Sequence, residues 1–520
     1  MGDSSDETAA TEAVVTAQNT GWPRGLLDVP ASAEFKGKSV RGGAAVVIGQ
    51  GVTMALQLGT TLILARLLSP TDYGLQAMVV TLTGFFSLFK DAGLSVATVQ
   101  RETLTQEQIS TLFWINLGLG AFLTLVVAAT SPFLVLFYKD PRLLWLTVAS
   151  ATVFLFNSLS IQHRALLDRA MRFGVSVKID ILCATVGSII AIAMAAMGFG
   201  YWSLICQSIS LPIVSGIAVW FAMPWLPGKP RWTQEMRSMV RFGGTVTLNS
   251  FVVYVAYNTE KILLGRFWGA APLGLYTRAY QLANLPVQQL IGSAGAVAFP
   301  VLSRMQNDVE RLHRSFLKAH SVVVSLTIPV VLSCALFANE MVLLLLGQKW
   351  LGSAPVFRLL SPTVLVFALV NPFSWFLRAT GQVGRSLKIA LLIAPVVILG
   401  VIAGLHYGPS GVATGYSAAL LILFVPLVAW SKYGTGISNR DYWNSVKRPL
   451  VAGAVSGGAG WAFKLAFHNN LAPIPMLFLG LTFSFAIYAS LLLFAMGQKR
   501  MYADLLSHLL KRNQPSETRS

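Results

Sequence analysis

Long apolar runs separated by short polar segments recur from residue 44 to residue 496. Each run approaches or exceeds the roughly 20 residues that a helix needs to cross the hydrocarbon core of a bilayer. Bounded by charged residues, Gly and Pro, the runs predict helical spans near 44–65, 75–97, 109–133, 143–162, 175–197, 201–223, 243–265 and 274–298. Six more are predicted near 318–338, 355–376, 386–406, 411–431, 449–467 and 474–496. The fold class is therefore an all-α polytopic membrane protein of about 14 transmembrane helices. Composition agrees, because 12% of the residues are charged and 54% hydrophobic, whereas soluble chains carry about 25% charged residues. Spans this dense leave no room for a soluble catalytic domain, so function must be built from helices and short loops.

An even number of spans puts both termini on one side. That side collects 29 of the 39 Lys and Arg residues, and basic residues accumulate on the cytoplasmic side of membrane proteins. The expected location is the bacterial inner membrane, multi-pass, with both termini cytoplasmic. The net charge of +18 is read as this topology signal and not as affinity for nucleic acid. Residues 1–41 begin with Asp3, Asp6, Glu7 and Glu12, unlike the basic start of a cleaved signal peptide, and are expected to be a retained, disordered tail. Cys183, Cys206 and Cys334 all fall within apolar runs, where a thiol acts as a small hydrophobe.

The chain also repeats itself. Leu64-Ala65-Arg66-Leu67-Leu68 through Gly74-Leu75 aligns at an offset of 200 with Leu264-Gly265-Arg266-Phe267-Trp268 through Gly274-Leu275. Six spans separate the copies, so both have one orientation, as in a parallel repeat about an axis along the membrane normal. Two six-helix lobes follow: an N-lobe at 42–223 and a C-lobe at 243–433. A cytoplasmic linker at 224–242, expected to lie along the membrane surface, joins them. Spans 13 and 14 occupy 434–497, and 498–520 is a cytoplasmic tail.

Polar stripes at helical spacing mark faces turned toward protein or water. Span 2 carries Thr83, Ser87, Lys90, Asp91, Ser95 and Thr98; span 7 carries Thr247, Ser250, Tyr254, Tyr257, Asn258 and Lys261. Span 8 carries Thr277, Tyr280, Gln281, Asn284 and Gln288, and span 1 more weakly Gln50, Thr53, Gln57 and Thr60. These four spans are the duplicated pairs, and a polar cavity among them is the simplest account. Its hydroxyl and amide members serve either helix-to-helix bonding or substrate contact. The charged members weigh more, since a mid-membrane charge costs at least about 2.5–3.5 kcal/mol. Lys90, Lys261, Arg66, Arg266 and Arg278 together make a lining suited to an anionic head group, although for each of the three arginines near the outer ends, taken alone, snorkelling is the better account. Tyr254, Tyr257 and Tyr280, with Asn258 and Gln281, complete the candidate substrate-binding set. Tyr276 suits either stacking or interfacial anchoring. Asp91 and Glu260 are the candidate ion-coupling acids, whereas Asp180 is expected to neutralise a neighbouring base such as Lys178.

Several chemistries are absent from the sequence. Gly37-Lys38-Ser39 lacks the P-loop glycine five positions earlier, where Ser32 stands, so no nucleotide site is written. The six histidines are scattered and no Asp-x-Asp pair exists. No metal, no cofactor and no catalytic residue are expected. Short outer loops argue against a glycosyltransferase or polymerase with a large external active-site loop.

Ala65-Arg66-Leu67-Leu68-Ser69-Pro70-Thr71-Asp72-Tyr73-Gly74 with Asp91-Ala92-Gly93-Leu94 resembles the opening of the polysaccharide transporter (Wzx-type) flippases. These belong to the multidrug/oligosaccharidyl-lipid/polysaccharide exporter superfamily. Arg164-Ala165-Leu166-Leu167, Leu263 to Arg266, Leu273 to Tyr280, Phe299 to Arg304 and Leu343 to Trp350 continue the match over about residues 40–495. The resemblance is nearest to the exporters of acidic exopolysaccharides of the succinoglycan or colanic-acid type. It implies translocation of undecaprenyl-pyrophosphate-linked oligosaccharide repeat units by alternating access, beside a polymerase and a chain-length regulator. The alternatives are a drug/cation antiporter of the same fold, which calls for an acid-dominated cavity, and a membrane glycosyltransferase or polymerase.

Overall fold

The computed structural model describes residues 32–90, 105–231, 258–306, 308–380 and 383–499, together with Tyr254 and Tyr502. Every regular element among them is helical, as the bilayer demands of a chain that must satisfy its backbone polar groups within each segment. Two compact units form, Met1–Tyr254 and Val255–Ser520. The first holds α1 (Ser32–Leu67), α2 (Pro70–Ser87), α3 (Gln106–Ala129), α4 (Ser131–Tyr138), α5 (Leu143–Arg169), α6 (Phe173–Ala196) and α7 (Trp202–Ala222). The second holds α8 (Thr259–Trp268), α9 (Ala270–Arg304), α10 (Val309–Leu336), α11 (Ala338–Leu345), α12 (Ser353–Val370) and α13 (Phe373–Ala379). It continues with α14 (Val383–Leu405), α15 (Gly408–Lys432), α16 (Asn439–Phe467) and α17 (Pro473–Ser490).

Eleven stretches of the described residues are helices long and apolar enough to cross a membrane, and Leu391–Leu405 is a shorter apolar one. The protein is thus a multi-pass membrane protein. Helices outrun the apolar stretches that signal them. The fourth predicted span, 143–162, is the front of a helix that runs to Arg169, and the ninth, 318–338, begins at Val309 behind an Asp308 cap. Hydropathy ends where the lipid ends, while the helix continues to the residue that satisfies its free backbone groups. Capping residues set several starts. Ser69 and Asp72 form a reciprocal capping box with Pro70 at the first position of α2, and Thr105 and Gln108 do the same for α3.

Features of the first unit return in the second. The two copies of the sequence repeat both end one helix and start the next, α1 into α2 through Ser69 and α8 into α9 through Gly269. The eight-residue helix α4 stops at a left-handed Lys139 (φ 58°), and α11 is followed, after Leu346, by Gly347 at positive φ (95°). The turns that enter α7 and α15 hold Gly200 (φ 54°) and Gly408 (φ 68°). A side chain at Gly200 would meet the Asp72 carboxylate and one at Gly408 the Trp268 ring.

In the first unit α3 packs on α5, α5 on α7, and α6 on both α1 and α7. The α1–α6 contact includes a Thr60 hydroxyl donating to Ser188 Oγ at 2.6 Å. In the second unit α12 lies between α9 and α15, and α16 packs on α10 and α17. Lys464 of α16 is anchored at the α10–α11 corner by the Leu336 carbonyl (2.7 Å) and the Glu340 carboxylate (2.8 Å). α14 and α15 cross with their backbones in close approach. A β-carbon at Gly404 would stand 2.0 Å from the Gly411 carbonyl oxygen, and one at Gly415 2.0 Å from that of Gly400. One flank of this crossing opens an apolar cavity of about 670 Å³ whose lining, including Val396, Leu399, Tyr407, Thr414 and Ile422, carries no charge. It therefore offers nothing to an anionic head group.

At the corner between α4 and α5, Arg142 donates to both Asp140 oxygens, at 3.0 and 2.7 Å. This hydrogen bonding holds the Asp140 carboxyl below the ordinary aspartate range. An acid depressed by folding adds stability above its unfolded pKa, and that stability is lost as pH falls through the folded value. In Arg142→Ala, amide exchange across 139–143 is therefore expected to be faster than wild type at pH 7, after correction for intrinsic rates. The difference should shrink as pH falls through the depressed value and vanish once the carboxyl is neutral in both proteins. Equal exchange at pH 7 would show that the pair does not order the corner.

Candidate functional site

The second unit gathers part of the expected set around the first turn of α8. Lys261 and Asn258 stand one helical turn apart, and Lys261 Nζ donates to Asn258 Oδ1 at 2.7 Å. The same ammonium lies 5.6 Å from the centre of the Tyr280 ring on α9, within range of cation–π attraction. Tyr280 stacks on Tyr276 (6.3 Å between centroids) and meets Tyr416 of α15 edge-on (6.4 Å). Lys261, Asn258 and Tyr280 are all half-buried, so a cation, an amide and an aromatic face are presented together. On either side of Tyr280 in the sequence, Arg278 donates to Gln281 Oε1, one turn on, at 2.7 Å. Such groups can hold a phosphate or carboxylate oxygen and stack on a sugar ring.

Glu260 points elsewhere. It is 1% exposed, and neither carboxylate oxygen has a hydrogen-bond partner. Tyr276 is likewise fully buried, its hydroxyl without a partner. Lys261 takes Asn258 and makes no ion pair with Glu260, as expected of adjacent helical residues that point about 100° apart. Tyr276 belongs to the core of its unit, so neither stacking on a sugar nor anchoring at the interface is its role.

In the first unit Tyr254 donates from its hydroxyl to the Thr81 carbonyl at 2.9 Å and meets Phe85 edge-on at 6.3 Å. That hydroxyl lies where a β-carbon on Gly84 would be, 2.4 Å away. Lys90 is half-buried in the turn that follows α2. Arg66 is exposed near the end of α1, and half-exposed Arg266, in the last turn of α8, packs 5.9 Å from the Phe267 ring. Asp91 and Tyr257 lie outside the described residues.

One charged group was not anticipated in its present form. Asp180 pairs with Arg164 at 2.6 Å and not with Lys178, and Arg164 Nε also donates to Ser215 at 3.2 Å. The pair ties α5 to α6 and α7. In α5, Asn157, Ile161, Arg164 and Asp168 step by three or four along the accessible face, while most of the remaining positions are buried. That spacing is the signal that could have identified this stripe from sequence.

The family model described as "Polysaccharide biosynthesis protein" matches residues 63–355, more than half of the chain. The lipopolysaccharide biosynthesis protein WzxC of Escherichia coli (strain K12) is 25% identical over 446 residues, covering 84% of this chain and 89% of the relative. The succinoglycan biosynthesis transport protein ExoT of Rhizobium meliloti (strain 1021) is 25% identical over 358 residues, 69% of this chain and 72% of the relative. Among solved structures, the lipid II flippase MurJ in an inward closed conformation superposes with a TM-score of 0.70 at 14% identity, over 89% of this chain and 99% of that one. An inward-facing multidrug resistance transporter of the MATE family gives 0.60 at 16% identity, over 75% and 98%. The fold is that of these two proteins, and by the match over more than half of its length the chain belongs to the polysaccharide biosynthesis protein family.

Proposed function

We propose that this protein is a flippase that carries undecaprenyl-pyrophosphate-linked oligosaccharide repeat units across the inner membrane for exopolysaccharide synthesis. The observation that carries the reading is the cluster of Lys261, Asn258 and Tyr280 in a chain of this family. Its ammonium meets an amide oxygen and an aromatic face, and neither partner neutralises the charge. An incoming anion therefore gains a charge-assisted hydrogen bond without displacing a carboxylate. Arg278 with Gln281, and Lys90 and Tyr254 of the first unit, are the other substrate contacts in this reading, with Arg66 and Arg266 acting at the outer ends. The two units alternate access, and polymerase and chain-length regulator act on the product.

Deleting the gene is expected to abolish surface polysaccharide and to leave lipid-linked single repeat units inside the cell. Normal polysaccharide in the deletion strain would overturn the reading.

Glu260 is the coupling acid best supported by its surroundings. A buried carboxylate without a donor is stabilised by taking up a proton, and a site that exchanges that proton as access alternates couples transport to the gradient. With Asp91, it completes the proposed ion-coupling pair. Glu260→Gln is expected to fold and to lose dependence of transport on a proton gradient. Full gradient dependence in that variant would leave Glu260 a structural residue.

A further inference from the structure

The segment that leaves α7 does not lie free along the membrane surface. Met223 and Trp225 are buried in a cluster formed by Ile109 and Phe113 of α3, Leu166 and Leu167 of α5 and Ile179 of α6. His163 of α5 donates from Nε2 to the Trp225 carbonyl at 3.1 Å. The chain then runs along the start of α3. Gly228 donates its amide to Ser110 Oγ (2.9 Å) and accepts at its carbonyl from Trp114 Nε1 (2.9 Å). Arg231 donates its amide to Thr111 Oγ1 (2.9 Å), accepts from that hydroxyl at its carbonyl (3.0 Å), and pairs with Glu107 at 2.6 Å. Backbone groups that a loop would give to water are therefore taken up one after another by side chains, at Trp225 by α5 and from Gly228 onward by α3.

We infer that residues 223–231 are a fixed strap of the first unit that stays in place, bound along the start of α3, through the transport cycle. Leaving would expose Trp225 and give up together the five backbone hydrogen bonds of Trp225, Gly228 and Arg231. The inference rests on the flippase reading for its transport cycle, and its geometry stands without it.

The position of Gly228 supplies the test. A β-carbon there meets only Ser110 Oγ, at 3.4 Å, a separation that suits a disulfide between Ser110→Cys and Gly228→Cys. In the full-length protein this bridge is expected to form and, once closed, to leave translocation of a lipid-linked oligosaccharide within about twofold of the reduced rate. In the wild-type chain the Gly228 and Arg231 amides are expected to exchange at least about tenfold more slowly than an open loop. A bridge that stops transport until it is reduced, or amides that exchange at the open-loop rate, would overturn the inference. If the reduced protein carries no oligosaccharide at all, the flippase reading fails, while amide exchange still decides whether the strap is fixed.

Discussion

Lys261→Ala is expected to stop export of the repeat unit while the protein still inserts and accumulates in the membrane. The ammonium sits half-buried between Asn258 Oδ1 and the Tyr280 ring, and no carboxylate pairs with it among the described residues. Removing it leaves a substrate anion facing an amide and an aromatic ring. Truncating a desolvated charge partner costs about 2–5 kcal/mol, so export should fall about 30-fold or more. Insertion should be unharmed, because an intramembrane lysine is itself a cost to insertion. Lys261→Met, which keeps the apolar stem, should be as inactive as Ala; Lys90→Ala, on the other unit, should show the same loss. Normal polysaccharide from cells carrying the Lys261 and Lys90 variants would remove the cation from the account.

Gly404→Leu is expected to prevent stable folding of the second unit. The β-carbon would stand 2.0 Å from the Gly411 carbonyl oxygen and 2.5 Å from its carbon. These are backbone atoms, so no rotamer change relieves the clash and α14 must separate from α15. Overpacking a well-filled contact costs about 1–3 kcal/mol and occasionally more; a clash against backbone belongs at the upper end. The variant should give aggregated protein in detergent, whereas Gly118→Ala, with nothing within 4 Å of the new methyl, should run as wild type. A monodisperse Gly404→Leu protein of unchanged melting temperature would show that the crossing tolerates separation.

Helix positions were legible because apolarity reports lipid directly, and both copies of the Leu-x-Arg repeat fall at equivalent helix corners. Other features depend on partners distant in sequence. The α4 and α11 segments continue apolar runs, and single-residue breaks at Thr130 and Phe337 set them apart from α3 and α10. Glu260 and Lys261 are adjacent, and a polar stripe cannot say that one is sealed inside the unit while the other meets Tyr280. The linker after α7 reads as polar and basic, yet its backbone is held by Ser110 and Thr111, more than a hundred residues away. Asp180 took the longer reach to Arg164 because residues two apart on a helix point to different faces, so proximity to Lys178 in sequence gave no contact.

The most direct measurement places the purified full-length protein in liposomes with a labelled polyprenyl-pyrophosphate oligosaccharide in one leaflet and follows its accessibility to a glycosidase outside. The account predicts protein-dependent transfer of intact lipid-linked oligosaccharide between leaflets, lost in Lys261→Ala. Transfer no faster than in protein-free liposomes, or a change in the oligosaccharide's length on exposure to the protein, would contradict it.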